Sequence, residues 1–149
     1  MNQLNIESVN KESFEDWLNL GLELWPHYKK EELRKVFRKI FESDKEKAFI
    51  CFDKSIPVGF ANVAIRLDNV PGVKKYPVGY FEGIYTKPEY RKKAIAKDLL
   101  KYSEKWLLSK GCIEIASDVE LNNIASQKFH KKVGFKEINK LVFFIKKLK

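Results

Sequence analysis

Residues 78–111 constrain the fold more tightly than any other stretch of the chain. Val78 to Thr86 reads as a strand, Pro88 ends it, and the periodicity predicts a helix from about Arg91 to Lys110. On that helix Ile95, Leu99, Tyr102 and Trp106 fall at i, i+4, i+7 and i+11, a single apolar stripe that has to be covered. Gly111 stands where a C-cap glycine belongs, and Ile113 to Ala116 is a short strand beyond it. A strand that passes into a long one-sided helix and then into another strand implies a helix lying on a sheet. That places the chain in the α/β class.

The flanking segments extend the same architecture. Leu4 to Val9 alternates apolar and polar residues, as an edge-like strand does. Helical spacing then runs from Ser13 to Trp25-Pro26, and again from about Lys30 to Phe41 with Leu33, Val36, Phe37 and Ile40 on one face. Ala48 to Phe52 and Val58 to Leu67 form a predicted hairpin around Asp53 to Pro57, and Asp68 to Pro77 reads as an exposed loop. A helix from Asn123 to Val133, capped by Gly134, precedes a final predicted hairpin of Phe135 to Ile138 and Leu141 to Ile145. The expected fold is a mixed, mostly antiparallel sheet with helices over one face and one edge. No repeat, low-complexity tract or linker divides it, so residues 1–149 read as a single domain.

Composition bounds the function. At 149 residues, 44% hydrophobic and 13% aromatic, the chain has enough apolar material for a core. It has no run of about 20 apolar residues, and its first residues lack a signal-peptide pattern. Cys51 and Cys112 cannot build a disulfide framework, and no Cys/His spacing suggests a metal, so a reducing cytoplasm is the expected setting. The net charge of +9 implies anionic company. Nucleic acid, an acidic membrane surface and a small polyanion such as a nucleotide cofactor all satisfy it, as does a merely solvated surface. The lysines are dispersed and no nucleic-acid motif accompanies them, so neither a nucleic-acid nor a membrane partner is expected.

The chemistry concentrates where the strand meets the long helix, at Tyr85-Thr86-Lys87-Pro88-Glu89-Tyr90-Arg91-Lys92-Lys93-Ala94-Ile95-Ala96. The first N–H groups of a helix have no partner within it, and the helix dipole adds partial positive charge there. Ala94 and Ala96 are small enough for an anion to approach, and Arg91, Lys92 and Lys93 surround it, which makes a cradle for pyrophosphate. The same residues also read as a capped helix with a solvated basic first turn. Arg91 to Ala96 resembles the Arg-x-x-Gly-x-Ala/Gly signature of the GCN5-related N-acetyltransferases, with Ala94 in place of the usual glycine. A second stretch, Asn123 to Phe135, resembles that family's Asn-x-x-Ala/Ser-x-x-x-Tyr-x-x-x-Gly-Phe, with His130 in place of the tyrosine. The resemblance implies acetyl-coenzyme A as cosubstrate. Ile84, Tyr85 and Thr86 would hold the pantetheine, Arg91, Lys92, Lys93, Ala94, Ile95 and Ala96 the pyrophosphate, and Asn123 and Ser126 the pantetheine arm and adenine side. It also makes His130 a candidate acid for the departing thiolate. A surface-edge helix residue is the other reading of His130.

A narrower resemblance is to the aminoglycoside 6′-N-acetyltransferases, carried by Leu24-Trp25-Pro26, Val58-Gly59-Phe60, Ile65-Arg66-x-Asp68, Phe81-Glu82-Gly83-Ile84-Tyr85, Glu89-Tyr90-Arg91, Ala116-Ser117-Asp118, Ser126-Gln127, His130 and Val142-x-Phe144. Asn69 departs from it, since that family often carries an aromatic residue there. The implied acceptor is a polycationic amine attacked directly on the thioester, with no acetyl-cysteine step. Glu82 and Asp118, at strand ends that should flank the cleft, suit such an amine, because carboxylates pair with ammonium groups and accept a proton. Asp68 and Glu120 would extend the acidic rim, and Trp25 and Tyr80 would offer flat walls. Each has a plainer reading: Glu82 as a solvent-facing or lysine-paired sheet residue, Asp118 as a loop or helix cap, the aromatics as core. Two rival functions stay open: acetylation of a polyamine, peptide or protein amine, and a basic binding module without catalysis. The last strands are expected to exchange between copies in a homodimer.

Overall fold

The computed structural model describes residues 4–149. Strand β1 (Leu4–Ser8) leads into helices α1 (Phe14–Leu24) and α2 (Lys30–Glu42). The hairpin β2 (Glu46–Asp53) and β3 (Ile56–Arg66) follows, then β4 (Val78–Thr86), a 3₁₀ turn at Pro88–Tyr90, and α3 (Ile95–Ser109). The last elements are β5 (Ile115–Ser117) and α4 (Ile124–Lys132). The five strands lie in chain order, β1 to β4 antiparallel and β5 parallel to β4.

Helices cover both faces of this sheet, which corrects the expectation of one face and one edge. Period-two alternation in the central strands explains why. Phe49, Cys51, Ala61, Val63 and Phe81 turn toward α3, while Ala48, Ile50 and Phe60 turn toward α1 and α2. The two N-terminal helices close around an aromatic stack: Trp17 lies 4.0 Å from Phe37, centroid to centroid, with planes 19° apart. Gly21 permits this approach, because a Cβ there would meet the Phe37 ring. The Trp17 indole N–H donates to Asn62 Oδ1 at 2.9 Å in the sheet, so a buried polar pair fixes α1 to β3.

On α3 the buried column is Ile95, Leu99, Ser103 and Leu107, with Leu100 beside it. It shares Ile95 and Leu99 with the predicted stripe and departs from it by one position in the second half, at Ser103 and Leu107 in place of Tyr102 and Trp106. Tyr102 stays exposed at the edge, near Phe49, and Trp106 is half-buried. A serine sits in the core column because its hydroxyl donates to Leu99 O at 2.9 Å. The helix also begins at Ile95 rather than Arg91, since Lys92 and Ala94 adopt positive φ of 67° and 63° and break the helical run.

The predicted C-terminal hairpin is not formed. Phe135 packs against the α3-side core, but no strand pairing is made beyond α4. Val142, Phe143, Phe144 and Ile145 are exposed, the last three by 88%, 92% and 99%. An apolar, alternating segment needs a sheet edge to pair with, and here it pairs with none among the described residues.

Truncating Asn62 to Ala removes the acceptor of the buried Trp17 indole. Asn62→Ala is expected to lose about 1–3 kcal/mol of stability, the cost of an orphaned buried donor, read as a shifted midpoint in chemical denaturation.

Candidate active site

The site starts from one extra residue. In the β3–β4 ladder Asn62 opposes Gly83 while Val63 opposes Phe81, so Glu82 is a β-bulge. Phe81 and Ile84 both turn toward α3. Glu82 instead joins Arg66 and Tyr80 on the side of β3 and β4 that carries Asn62. The Arg66 guanidinium donates to Glu82 Oε1 at 3.0 Å and stacks with its Cζ 3.4 Å from the Tyr80 ring centroid. Burial pushes the Glu82 carboxyl above the ordinary glutamate range. Arg66 opposes that shift, and the charges of Asp118 and Glu46 add to it. Burial and then the Asp118 charge also push the Tyr80 hydroxyl up. Glu82, Asp118 and Tyr80 thus form one electrostatic cluster, joined by Arg66, to which the Ile65-Arg66-x-Asp68 motif by itself assigns no role. The signal was its register: Arg66 ends β3 opposite Val78, two residues from Tyr80 on the same face.

The same bulge sits at a fork. Strands β4 and β5 pair only over Gly79–Phe81 and Ile115–Ser117, so from Glu82 to Thr86 one side of the β4 backbone has no neighbouring strand among the described residues. Ile84 is half-buried against the α3 core. The Tyr85 hydroxyl donates to Glu23 at 3.0 Å, and burial with that carboxylate raises it to about 12. Thr86 is buried, its carbonyl accepts Arg91 Nε at 3.0 Å, and its hydroxyl is the buried side-chain polar group without a partner among the described residues. Trp25 lies over Gly83, where a Cβ would come within 2.8 Å of the indole, and packs at right angles to Phe37 and at a tilt to Phe60. Trp25 is thus partly buried at the margin of the core under α1 and α2.

Below the fork lies the basic turn. The first bond into α3 is Asp98 N to Ala94 O, so the N–H groups of Ile95, Ala96 and Lys97 precede the helical ladder. Positive φ at Lys92 and Ala94 turns successive peptides into a concave loop, and Arg91 to Ala94 are exposed. These features fit the diphosphate of a nucleotide, and the unpartnered Thr86 hydroxyl lies on the strand that leads into them.

Across the fork, Asn123 caps α4 by accepting from Ser126 N at 3.1 Å. His130 is buried among Phe81, Phe129 and Phe135. Its Nδ1 lies 2.8 Å from Ser126 O, an acceptor, so Nδ1 carries hydrogen. Its Nε2 lies 2.8 Å from Ser117 Oγ, itself 3.3 Å from Phe81 O. His130 thus bridges α4 to the last paired residues of β4 and β5. Both ring nitrogens are engaged within the protein, so proton donation at the cleft would require Ser117 to relay or release it. Asp68 and Glu120 are exposed, and among the described residues no hydrogen bond or ion pair joins their carboxylates to the Glu82 cluster. Cys51 and Cys112 are buried, and burial pushes their thiols up, Cys51 to about 11, so neither offers a thiolate.

Residues 8–135 match the Acetyltransferase (GNAT) family, and the chain belongs to that family. Within it, the chain is similar to aminoglycoside N(6′)-acetyltransferase type 1 of Salmonella enteritidis, 34% identical over 97% of this chain and 99% of the relative. It is 37% identical to the Serratia marcescens enzyme of the same name, over 92% and 94%. Among solved structures, aminoglycoside N-acetyltransferase AAC(6′)-Iy in complex with CoA superposes with a TM-score of 0.94 at 34% identity, over 98% of this chain and 96% of that one. The same enzyme with a CoA-S-monomethyl-acetylneamine bisubstrate analogue gives 0.93, over 97% and 99%.

Left-handed backbone is unfavourable for alanine by about 1–2 kcal/mol, and the greater unfolded-state freedom of glycine offsets roughly 0.5–1 kcal/mol of any relief. Ala94→Gly is therefore expected to gain about 0.5 kcal/mol of stability and to bind coenzyme A at least as tightly as wild type. Denaturant titration and calorimetry read the two effects, and weaker binding in the variant would show that the alanine methyl group is itself a contact.

Proposed function

We propose that the protein transfers the acetyl group of acetyl-coenzyme A to the 6′-amine of an aminoglycoside. The observation that carries this reading is the fork at Glu82: an open β4 edge, a nucleotide-fitting turn at one end, and an acidic cluster at the other. The relatives' names and the coenzyme A and bisubstrate complexes support it. The turn from Lys92 to Ala96 would hold the pyrophosphate, Arg91 being already committed to Thr86 O. The open β4 backbone from Ile84 to Thr86 would take the pantetheine, with Asn123 and Ser126 across the fork. In the reaction the amine nitrogen bonds to the acetyl carbon as the carbon–sulfur bond breaks, the thiolate takes one proton, and one net proton is released from the ammonium.

Glu82 accepts that proton, directly or through a water. Its raised position, set first by burial, brings it toward the working range of a general base. Asp118 holds a second ammonium, and Tyr80 and Trp25 line the sugar rings. His130 orients the fork through Ser117. Asp68 and Glu120 form an outer acidic rim that attracts a polycation to an otherwise basic protein. Salt screens the long-range repulsion over about 8 Å, so the nearest groups decide.

The homodimer reading rests on the apolar residues from Leu141 to Leu148, left uncovered in one chain. A second copy would cover them by strand exchange. The two free, buried thiols fit a reducing cytoplasm, and no helix of the described residues is long and apolar enough to cross a membrane.

Acetyl-coenzyme A consumption with aminoglycosides bearing or lacking a 6′-amine, with polyamines and peptides as controls, tests the reaction. Turnover confined to 6′-amino compounds is expected, and polyamine or peptide turnover alone would move the acceptor elsewhere. Glu82→Gln should keep the fold and cofactor binding but lower kcat/KM by at least about 10-fold at pH 7. Because the folded carboxyl is raised, the wild-type acid limb should lie above the ordinary glutamate range and be missing from the variant. Light scattering should give twice the chain mass for wild type and the single mass for Phe143→Asp/Phe144→Asp.

A further inference from the structure

The acceptor cluster contains a cation of its own. Arg66 stands on Tyr80 and against Glu82, with 41% of its side chain and 36% of that of Glu82 exposed. Glu82 and Tyr80 face it from β4. The Asp118 and Glu46 charges reach the same cluster, Asp68 lies two residues along the chain, and the Lys45 carbonyl accepts the neighbouring Ile65 N–H at 2.8 Å. A site for an ammonium group needs carboxylates, yet an ammonium held between carboxylates keeps its proton and has no lone pair with which to attack. A fixed positive charge beside the same carboxylates opposes both effects at once.

We propose that Arg66 is a rate- and specificity-setting residue whose charge favours the free amine over the ammonium at the Glu82 site, in exchange for weaker binding of the polycation. The inference rests on the reading of Glu82 as the carboxylate that faces the acceptor. The proton balance is simple: R–NH3+ becomes R–NH2, its proton passes to Glu82 or through water to solvent, and Arg66 keeps all its own. Arginine suits the task because it does not titrate and its planar guanidinium stacks on Tyr80 while one N–H binds Glu82.

Arg66→Gln keeps a hydrogen-bonding group and removes the charge. It should lower KM for a multiply charged aminoglycoside by about threefold to fivefold, the scale of one partly exposed charge pair. It should also lower kcat at pH 7, and kcat should recover as pH rises, because the bound amine then loses its proton only at higher pH. Arg66→Lys retains charge without the planar stack and should return the pH profile toward wild type. In the free protein, carboxyl-carbon NMR should show Glu82 titrating at higher pH in Arg66→Gln, a readout that needs no turnover. A raised KM, a loss of kcat equal at all pH values, or unchanged kinetics with an unmoved Glu82 titration would each overturn the inference. Wild type that acetylates no amine would instead bring down the proposed function. Wild type that acetylates aminoglycosides beside an Arg66→Gln enzyme of identical pH profile would bring down this inference alone.

Discussion

One inserted residue in the fourth strand organises this molecule. Regular antiparallel pairing sends alternate side chains to opposite faces, and the bulge at Glu82 breaks that alternation once. Phe81 and Ile84 both serve the core beneath α3, while Glu82 and Gly83 fall to the other side, beside Arg66 and under Trp25. The bulge also marks where β4 loses β5 as a neighbour. A carboxylate turned from the α3 core, an open strand edge and the end of the β4–β5 pairing therefore meet at one local irregularity. The surrounding packing sustains it. Gly83 has no side chain to compete with Trp25, and the ladder resumes there, Gly83 opposite Asn62 and Ile84 opposite Ala61.

The two ends of the open edge divide the chemistry by charge. At one end the chain presents backbone N–H groups and lysines at the start of α3, and at the other it presents Glu82 and Asp118. A protein of net +9 can serve a cationic acceptor because the relevant field is local. Arg66 tempers that local field, and the buried His130–Ser117 link holds the fork at the last paired residues of both strands. The positions that most resemble a catalytic constellation are thus partly devoted to holding geometry. That is common where strained or interrupted backbone carries the chemistry.

The sequence showed much of this, and the exceptions have physical causes. The succession of strands and helices along the chain, the α3 helix and the basic turn were legible because periodicity and proline or glycine punctuation mark them. The bulge was not legible, since a one-residue slip leaves no mark in Phe81-Glu82-Gly83-Ile84, where the residues read equally well as a continuous strand. Arg66 lies within a motif, yet its partnership with Glu82 depends on register across two strands. The start of α3 was placed four residues early because Arg91 to Ala94 have adequate helix propensity, and left-handed backbone at Lys92 and Ala94 overrides it. The final hairpin followed from alternation alone, and alternation says nothing about whether a partner edge exists in the same chain. His130 was visible as a substitution in a motif, while its burial and double hydrogen bonding were not.

We propose that the open β4 edge and the α3 turn form one continuous cosubstrate site, with the Glu82 cluster at its far end. Titrating isotope-labelled protein with coenzyme A and following backbone amide shifts tests it directly. The account predicts that the largest changes fall on Lys92 to Lys97 and on Glu82 to Thr86, with Ser117 and Asp118 responding across the fork. Shifts confined to surface lysines outside these segments, or absent at saturating coenzyme A, would contradict it.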